Sequence, residues 1–192
     1  MKNKLLLLFF LLGVFFPLSA QESEVLISTS HTSLLLSTSQ GGELKFLYYG
    51  RKLTDADVHA IVSTESGSFS AYPVYGLNCP SESALSVQHE DGNMTLQMEV
   101  IGVETTHQEK ANLTVISLKD KVYPFYVKLC YKAYQDVDVI EAWTEISHKE
   151  KKNVNLNQFA SAYLPVRKGN VWLSSLYGAW ANEARLVQEP LE

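Results

Sequence analysis

The fold class of this 192-residue chain is decided by the stretch Ser33–Tyr49, which reads SLLLSTSQGGELKFLYY. Two runs of strand-forming residues, Ser33–Ser37 and Leu44–Tyr49, flank the turn sequence Gln40–Glu43. A Gly-Gly pair between such runs is typical of a tight β-hairpin, because glycine adopts the positive φ angles that these turns need. The stretch therefore predicts two antiparallel strands joined by a short turn.

Short strands separated by turn residues continue along the rest of the chain. Asp91-Gly92 lies between Val87–His89 and the alternating run Met94–Val100, which predicts a second hairpin. Leu113–Leu118 and Tyr123–Tyr134 flank a turn that contains three consecutive polar residues, Lys119–Lys121, and form another pair of predicted strands. In total the pattern indicates roughly ten strands, which is typical of an all-β, antiparallel β-sandwich.

The segment Val137–Ile146 alternates in a way that distinguishes its two faces. Val137, Val139, Glu141, Trp143 and Glu145 share one face, and Asp138, Ile140, Ala142, Thr144 and Ile146 share the other. The second face is more continuously apolar, so we expect it to point into the core. No segment of the mature chain keeps a helical apolar period over a dozen residues, and the nearest one, Gly178–Arg185, is short.

The first twenty residues are typical of a secretory signal peptide. Lys2 and Lys4 precede the apolar run Leu5–Phe16, and a small residue, Ala20, precedes a polar segment. The apolar run is shorter than the ~20 residues of a bilayer-spanning helix, which argues against a membrane anchor. We therefore predict a signal peptide at residues 1–20, a single β-sandwich domain at 21–192, and a secreted or periplasmic location.

Composition excludes several classes of function. Removal of the signal peptide leaves 14 basic and 21 acidic residues, a formal charge of −7, which disfavours nucleic acid as a partner. The two cysteines, Cys79 and Cys130, would meet an oxidising compartment, where either a disulfide or two separate thiols is compatible with the sequence. The five histidines form no short-spaced pair, so neither a metal nor another cofactor is implied.

The candidate site residues are two carboxylates and a group of aromatic residues. Asp55 and Asp57 lie two residues apart, which places them on the same side of an extended segment and allows acid/base work, although two acids in a loop are more often solvated turn residues. Aromatic rings near turns suit the apolar faces of sugars, and packing in the core is the competing interpretation. The rings concerned are Tyr48, Tyr49, Tyr72, Tyr75, Trp172, Tyr177 and Trp180.

Three short segments, in this order, resemble the N-terminal domain of glycoside hydrolase family 36, the bacterial and fungal α-galactosidases. They are Leu47–Leu53, which ends in an aromatic-Gly-Arg turn, Ala71–Gly76, which contains Tyr-Pro, and Leu176–Arg185, which contains Gly-x-Trp-x-x-Glu. The resemblance covers residues 24 to 192. It implies a large β-sandwich (a supersandwich) packed on a catalytic (β/α)₈ barrel that hydrolyses terminal α-galactosides with retention, through two aspartates.

The resemblance also implies what this chain lacks. The Lys-Trp-Asp and Cys-x-Gly-Gly-Gly segments that carry the family's catalytic acids are absent, so no catalytic residue is assigned and enzymatic activity of this chain itself is left open. Asp55 or Asp57, together with Trp180, are the candidate contacts to sugar. The family's sandwich continues beyond Glu192, so the chain is expected to be a fragment or a truncated relative whose sandwich is incomplete at the C-terminus.

We therefore expect a non-catalytic N-terminal domain of a secreted α-galactosidase, with the barrel and, through it, α-galactoside oligosaccharides as partners. An unpaired strand edge favours pairing with another copy of the chain. The alternative function is a free-standing carbohydrate-binding or adhesion sandwich without enzymatic activity.

Overall fold

The computed structural model describes residues 23–64, 69–76, 82–166 and 169–190. The predicted signal peptide at 1–20 and Cys79 lie outside these ranges. The described part contains twelve strands and one helix: β1 (Ser23–Ser28), β2 (Thr32–Thr38), β3 (Leu44–Arg51), α1 (Asp55–Ser63), β4 (Phe69–Ser70), β5 (Leu85–Gln88), β6 (Met98–His107), β7 (Ala111–Asp120), β8 (Phe125–Tyr134), β9 (Val139–His148), β10 (Asn155–Phe159), β11 (Trp172–Ala179) and β12 (Asn182–Pro190).

The strands form two four-stranded antiparallel sheets and two additional strand pairs. The first sheet has the order β1-β2-β3-β4, the second has the order β6-β7-β8-β9, and the pairs are β5 with β10 and β11 with β12. Both sheets and β5 contribute to one buried core, which confirms the predicted all-β, antiparallel β-sandwich. The most deeply buried of its side chains include Leu36, Leu85, Val87, Leu96, Ile116, Phe125 and Val127.

Two sequence-based predictions of strand pairing and orientation are confirmed. β2 and β3 form the predicted hairpin, and Gly42 in its turn has a φ of +81°. In β9, the side chains of Ile140, Ala142 and Ile146 pack against the core, as the alternation predicts. The other face of β9 therefore points away from the core.

Polar contacts join the two sheets at both ends of the sandwich. At one end, the hydroxyls of Thr29 and Thr32 donate to the carboxylate of Asp138, so the β1–β2 turn is tied to the β8–β9 turn. At the other end, the N–H of Val100 in β6 donates to the carbonyl of Gly42 at 2.8 Å. The Thr29 and Thr32 hydroxyls lower the pKa of Asp138, which keeps this carboxylate ionised at neutral pH.

Two independent features of the structure disfavour a side chain at the position of Gly42. Its positive φ disfavours any residue with a Cβ, and a Cβ built there would lie 3.0 Å from the Cβ of Glu99. We expect Gly42→Ala to lower the free energy of unfolding by about 1–2 kcal/mol in urea titrations. Gly92→Ala, at φ +88° but with open space around the new methyl group, isolates the backbone contribution.

Gly41→Ala is the matched control, because its Cβ would make only an ordinary contact 3.7 Å from Ser39 Oγ. Equal stability of the Gly41 and Gly42 variants would show that the turn does not need a left-handed residue.

The prediction of a hairpin around Asp91-Gly92 is wrong in its pairing. The chain does reverse there, with the His89 N–H donating to the Asn93 carbonyl at 2.8 Å. The strands on either side then separate, because β5 pairs with β10 and β6 pairs with β7. The Asp-Gly signal determines the local reversal, whereas burial of Leu85 and Val87 in the core determines the partner of β5.

The expectation of an extended segment at Asp55 and Asp57, in a chain without helical periodicity, is also corrected. Asp55–Ser63 is a helix and not an extended segment or loop, and Gly178–Arg185, the nearest helical pattern, lies across the β11–β12 hairpin. In the described part of the chain, no helix is long and apolar enough to cross a membrane.

Candidate functional site

Helix α1 begins with a capping box that includes one of the two candidate carboxylates. The backbone N–H of Asp57 donates to Thr54 Oγ1 at 3.3 Å, and Asp57 Oδ2 accepts from the backbone N–H of Thr54 at 2.9 Å and from its hydroxyl at 2.7 Å. Acidic residues in the first helical turn also oppose the positive end of the helix dipole. The sequence Thr54-Asp-Ala-Asp57 therefore starts a helix by local hydrogen bonding.

The capping box determines the chemistry of Asp57. The backbone hydrogen bond from Thr54, followed by that from its side chain, lowers the pKa of Asp57, and Arg51 contributes a smaller attraction in the same direction. Asp57 is therefore an anion at neutral pH whose Oδ2 atom is already engaged, which makes it a poor proton donor. Asp55 is exposed, and its carboxylate forms no hydrogen bond within the described residues.

Buried apolar contacts hold α1 on the outer side of the first sheet. Val58 packs against Leu35 and Leu47, whose side chains point away from the main core. Beside the helix, Tyr48 Oη donates to the carbonyl of Arg51 at 3.0 Å. A Cβ at Gly50 would lie 2.7 Å from Tyr48 Oη, so this glycine allows the close packing of the ring. The two candidate carboxylates consequently stand on a well-supported helix.

We expect Thr54→Ala to lower the free energy of unfolding by about 1 kcal/mol, because the helix loses its cap. Asp57→Asn should change the pH dependence of stability. The folded-state pKa of Asp57 is lowered, so its ionised carboxylate stabilises the fold at every pH above the ordinary aspartate pKa of about 3.9. This stabilisation is lost as the pH falls through the folded-state pKa.

Thermal unfolding between pH 2 and pH 7 checks this expectation. Asp57→Asn should melt lower than the parent at pH 7 and converge with it at pH 2, whereas Asp55→Asn serves as the neighbouring control. A constant difference across this range would contradict the assignment of the cap to the ionised carboxylate.

Trp180 is not brought together with Asp55 and Asp57. It lies in the turn between β11 and β12, where its side chain is 97% exposed, so its ring contacts neither carboxylate. The preceding aromatic residues of this hairpin, Trp172 and Tyr177, are also largely exposed. The three candidate residues therefore form two separate features: the N-terminus of α1 and the tip of the β11–β12 hairpin.

The remaining aromatic candidates divide between core and surface. Tyr72 is buried and its hydroxyl donates to the carbonyl of Ala160 at 2.8 Å, so it is a structural residue. Tyr49 and Tyr75 are about half exposed. The packing interpretation is thus correct for Tyr72 and for Tyr48, which packs beside α1, and the sugar-contact interpretation is still available for the exposed rings.

Sequence reasoning missed a third group of aromatic residues, on the outer face of the second sheet. Tyr126, Tyr134 and Trp143 lie on β8 and β9 with their side chains directed away from the core. The alternation of Val137–Ile146 already placed Trp143 outward, between Glu141 and Glu145. What the sequence did not provide was the register, which brings the three rings into one row.

Thiol and metal chemistry receive little support. Cys130 is a free, buried thiol, and burial followed by the nearby Glu145 carboxylate raises its pKa, so it is a weak nucleophile. Its predicted alternative partner, Cys79, lies outside the described residues, and the disulfide stays a prediction. Within residues 23–64, 69–76, 82–166 and 169–190 no three metal-binding side chains come together.

The fold and these features define an all-β sandwich domain whose candidate contacts lie on its surface. The profile of the glycosyl hydrolase family 36 N-terminal domain matches residues 42–192, and the chain belongs to this family. The predicted resemblance is confirmed. Among curated proteins, none has a significant sequence match.

Solved structures with the same fold include several α-galactosidases. A variant of the family 36 enzyme AgaA from Geobacillus stearothermophilus, in complex with 1-deoxygalactonojirimycin, has a TM-score of 0.80 and 20% identity over 88% of this chain. The α-galactosidase from Lactobacillus brevis has a TM-score of 0.77 and 18% identity over 92%. The galactosidase domain of the α-galactosidase-sucrose kinase AgaSK has a TM-score of 0.75 and 21% identity over 87%. The chain spans 28% of the length of each.

Proposed function

We propose that this chain is the N-terminal, non-catalytic domain of a secreted α-galactosidase, in which a separate (β/α)₈ barrel hydrolyses terminal α-galactosides with retention of configuration. The match of residues 42–192 to the family 36 N-terminal domain carries this proposal. The fold neighbours support it, because they are α-galactosidases in which a domain of this shape is 28% of the chain. A barrel of this type needs about 250 residues of its own.

The chemistry of α1 supports a non-catalytic role for its carboxylates. A retaining glycosidase needs two carboxyl groups about 5–5.5 Å apart, one of which donates a proton and later takes it back. Asp57 is held by Thr54 as an anion and is unsuited to that exchange. We assign Asp57 to positioning the helix, and we propose Asp55 as the residue that contacts sugar hydroxyls in the assembled enzyme.

The experiment compares this chain with a longer protein that contains it and a barrel. The longer protein should hydrolyse an aryl α-galactoside, and the chain of residues 21–192 should show no turnover. Turnover by the chain would overturn its assignment as non-catalytic. Absence of α-galactosidase activity from the longer protein, with activity on another glycoside, would overturn the assignment of the substrate.

The same longer protein tests the candidate residues. Asp55→Asn should raise KM for the galactoside about tenfold, since a hydrogen bond to a charged group is lost. Trp180→Ala is the second test, because a ring that is 97% exposed in this chain is available to contact the barrel or the sugar. Unchanged KM and kcat in both variants would remove these residues from the site.

Secretion is part of the proposal and has its own test. The apolar run Leu5–Phe16 should direct export and be cleaved after Ala20. Alkaline phosphatase fused after residue 30 should be active in the parent and in Leu12→Ile, but inactive in Leu12→Arg, which places a charge in the apolar run. N-terminal sequencing of the exported protein should begin at Gln21, and an intact Met1 would contradict the predicted cleavage.

A further inference from the structure

The outer face of β8 and β9 carries an ordered row of side chains that the proposed function does not use. Antiparallel pairing sets Lys128 opposite Glu145, Cys130 opposite Trp143, and Lys132 opposite Glu141. Tyr126 and Tyr134 lie at the two ends of the row on β8. We call this set the aromatic strip: Tyr126, Lys128, Lys132, Tyr134, Glu141, Trp143 and Glu145.

The strip faces away from the core because of the two-residue period of a strand. Phe125, Val127, Leu129, Tyr131 and Ala133 alternate with the β8 residues of the strip and are all buried in the main core. Helix α1 covers the outer face of the other sheet, through Val58 on Leu35 and Leu47. The strip and the candidate carboxylates therefore lie on opposite outer sides of the sandwich.

The dimensions of the strip fit a linear ligand. Tyr126 and Tyr134 are eight residues apart along β8, which corresponds to about 26 Å in an extended strand. Trp143 lies opposite Cys130, midway between them. Each pair of neighbouring rings is thus separated by about 13 Å, with one Lys and one Glu between them. The three rings thus follow the strand direction with polar groups in the intervals, and Trp143 is offset to one side by the spacing of one strand, about 4.8 Å.

The rings are held in place by polar neighbours. Tyr134 Oη donates to Glu141 Oε2 at 2.9 Å, and Trp143 Nε1 lies 3.3 Å from Glu145 Oε1. The ammonium group of Lys132 is 5.1 Å from the centre of the Tyr134 ring, and that of Lys149 is 5.5 Å from the centre of the Tyr126 ring. Tyr126, Lys132 and Tyr134 are partly exposed and Lys149 is exposed, so these cation–π contacts are weak and a ligand displaces them at small cost.

The charges of the strip favour a neutral ligand. Two lysines and two glutamates alternate in cross-strand pairs, so the strip has no net charge, and a polyanion or a polycation would meet like charges at every interval. Carboxylates accept hydrogen bonds and lysines donate them, which suits hydroxyl groups that do both. Aromatic rings supply flat apolar surface between these polar groups.

A shallow depression lies on the protein surface at the Tyr126 end of the strip. It has a volume of about 240 Å³ and lies beside Tyr126 and Lys128, with Ile101, Ser117 and Ser147 in its walls. Polar groups in a shallow apolar depression are typical of a subsite that orients one unit of a ligand.

From these observations we infer that the aromatic strip binds an extended, neutral polysaccharide, with Tyr126, Trp143 and Tyr134 stacking on sugar units that are two to three units apart and the Lys/Glu pairs binding hydroxyls of the units between them. The inference does not depend on the proposed α-galactosidase function. It assigns to this domain a carbohydrate-binding surface remote from α1.

Affinity gel electrophoresis of the chain tests the inference with four soluble polymers: galactomannan, hydroxyethyl cellulose, arabinoxylan and polygalacturonate. At least one of the three neutral polymers should retard migration. Trp143→Ala should lower the association constant about tenfold, and Tyr126→Ala and Tyr134→Ala should each lower it several-fold, since each removes a stacking surface. The matched control is Phe69→Ala, an exposed aromatic residue on β4 of the first sheet that should leave binding unchanged.

Circular dichroism establishes that each variant is folded. If Trp143→Ala does not fold, Glu145→Gln, at an exposed position, replaces it and should also weaken binding. Three outcomes would overturn the inference. They are no retardation by any neutral polymer, equal retardation of Trp143→Ala and the parent, and retardation by polygalacturonate alone. Dimerisation in sedimentation experiments that is lost in Trp143→Ala would assign the strip to a second copy of the chain instead.

Discussion

Replacing His89 with alanine is expected to lower the free energy of unfolding by about 3–5 kcal/mol, because it leaves a buried carboxylate without its partner. His89 Nδ1 lies 2.8 Å from Glu150 Oε1, and the two side chains are 0% and 3% exposed. The imidazole also stacks on Tyr123 with the ring centres 3.7 Å apart. The pair joins the turn after β5 to the segment between β9 and β10.

Urea titration of three variants separates the contributions of this pair. Glu150→Gln keeps the shape and one acceptor oxygen, so it should cost less than His89→Ala. His59→Ala, on the exposed side of α1, is the matched control and should stay within about 0.5 kcal/mol of the parent. A loss below about 1 kcal/mol for His89→Ala would show that the pair is not energetically coupled to the fold.

Asp120→Ala is the second change with a large expected effect. The buried carboxylate accepts three backbone hydrogen bonds: from Gln97 at 2.6 Å, from Val122 at 2.8 Å and from Tyr123 at 2.7 Å. Alanine leaves these N–H groups without their acceptor in a site where Asp120 is 1% exposed. We expect a loss of about 3–5 kcal/mol, since each hydrogen bond to a charged group contributes about 1.5–3 kcal/mol and water recovers part of it.

Asp120→Asn provides the graded comparison, because the amide keeps one acceptor oxygen and replaces the other by a donor. It should be intermediate between the parent and Asp120→Ala in urea titrations. Asp136→Ala is the control, since this carboxylate is exposed and lies 3.9 Å from Lys110 Nζ. If Asp120→Ala were no more destabilising than Asp136→Ala, the β7–β8 turn would have to be held by other contacts.

The parts of the fold that sequence predicted are those governed by local patterns. The Gly41-Gly42 turn and the alternation around Ile140 and Ala142 each depend on residues close in sequence, and both are confirmed. The partner of β5 could not be predicted in this way, because β10 lies about 70 residues further along the chain. Its choice depends on the burial of Leu85 and Val87, which only the assembled core defines.

The candidate site was predictable only in part. Thr54 and Asp57 carry the signature of a capping box, which could have indicated α1, but the helix buries only Val58 and so has little of the apolar periodicity that identifies helices. The outward position of Trp143 followed from alternation. Its alignment with Tyr126 and Tyr134 required the β8–β9 register, which a single strand does not reveal.

The order of strands within each sheet has a consequence for folding kinetics. Each four-stranded sheet is built from strands that follow one another along the chain, so most pairings close short loops and can form early. The β5–β10 pair is the exception, because β5 precedes the four strands of the second sheet in sequence and β10 follows them. We therefore expect the two four-stranded sheets to form first and the pairing of β10 with β5 to be the late step. Destabilising changes at Leu156 or Phe159 in β10 should then accelerate unfolding and leave the folding rate nearly unchanged.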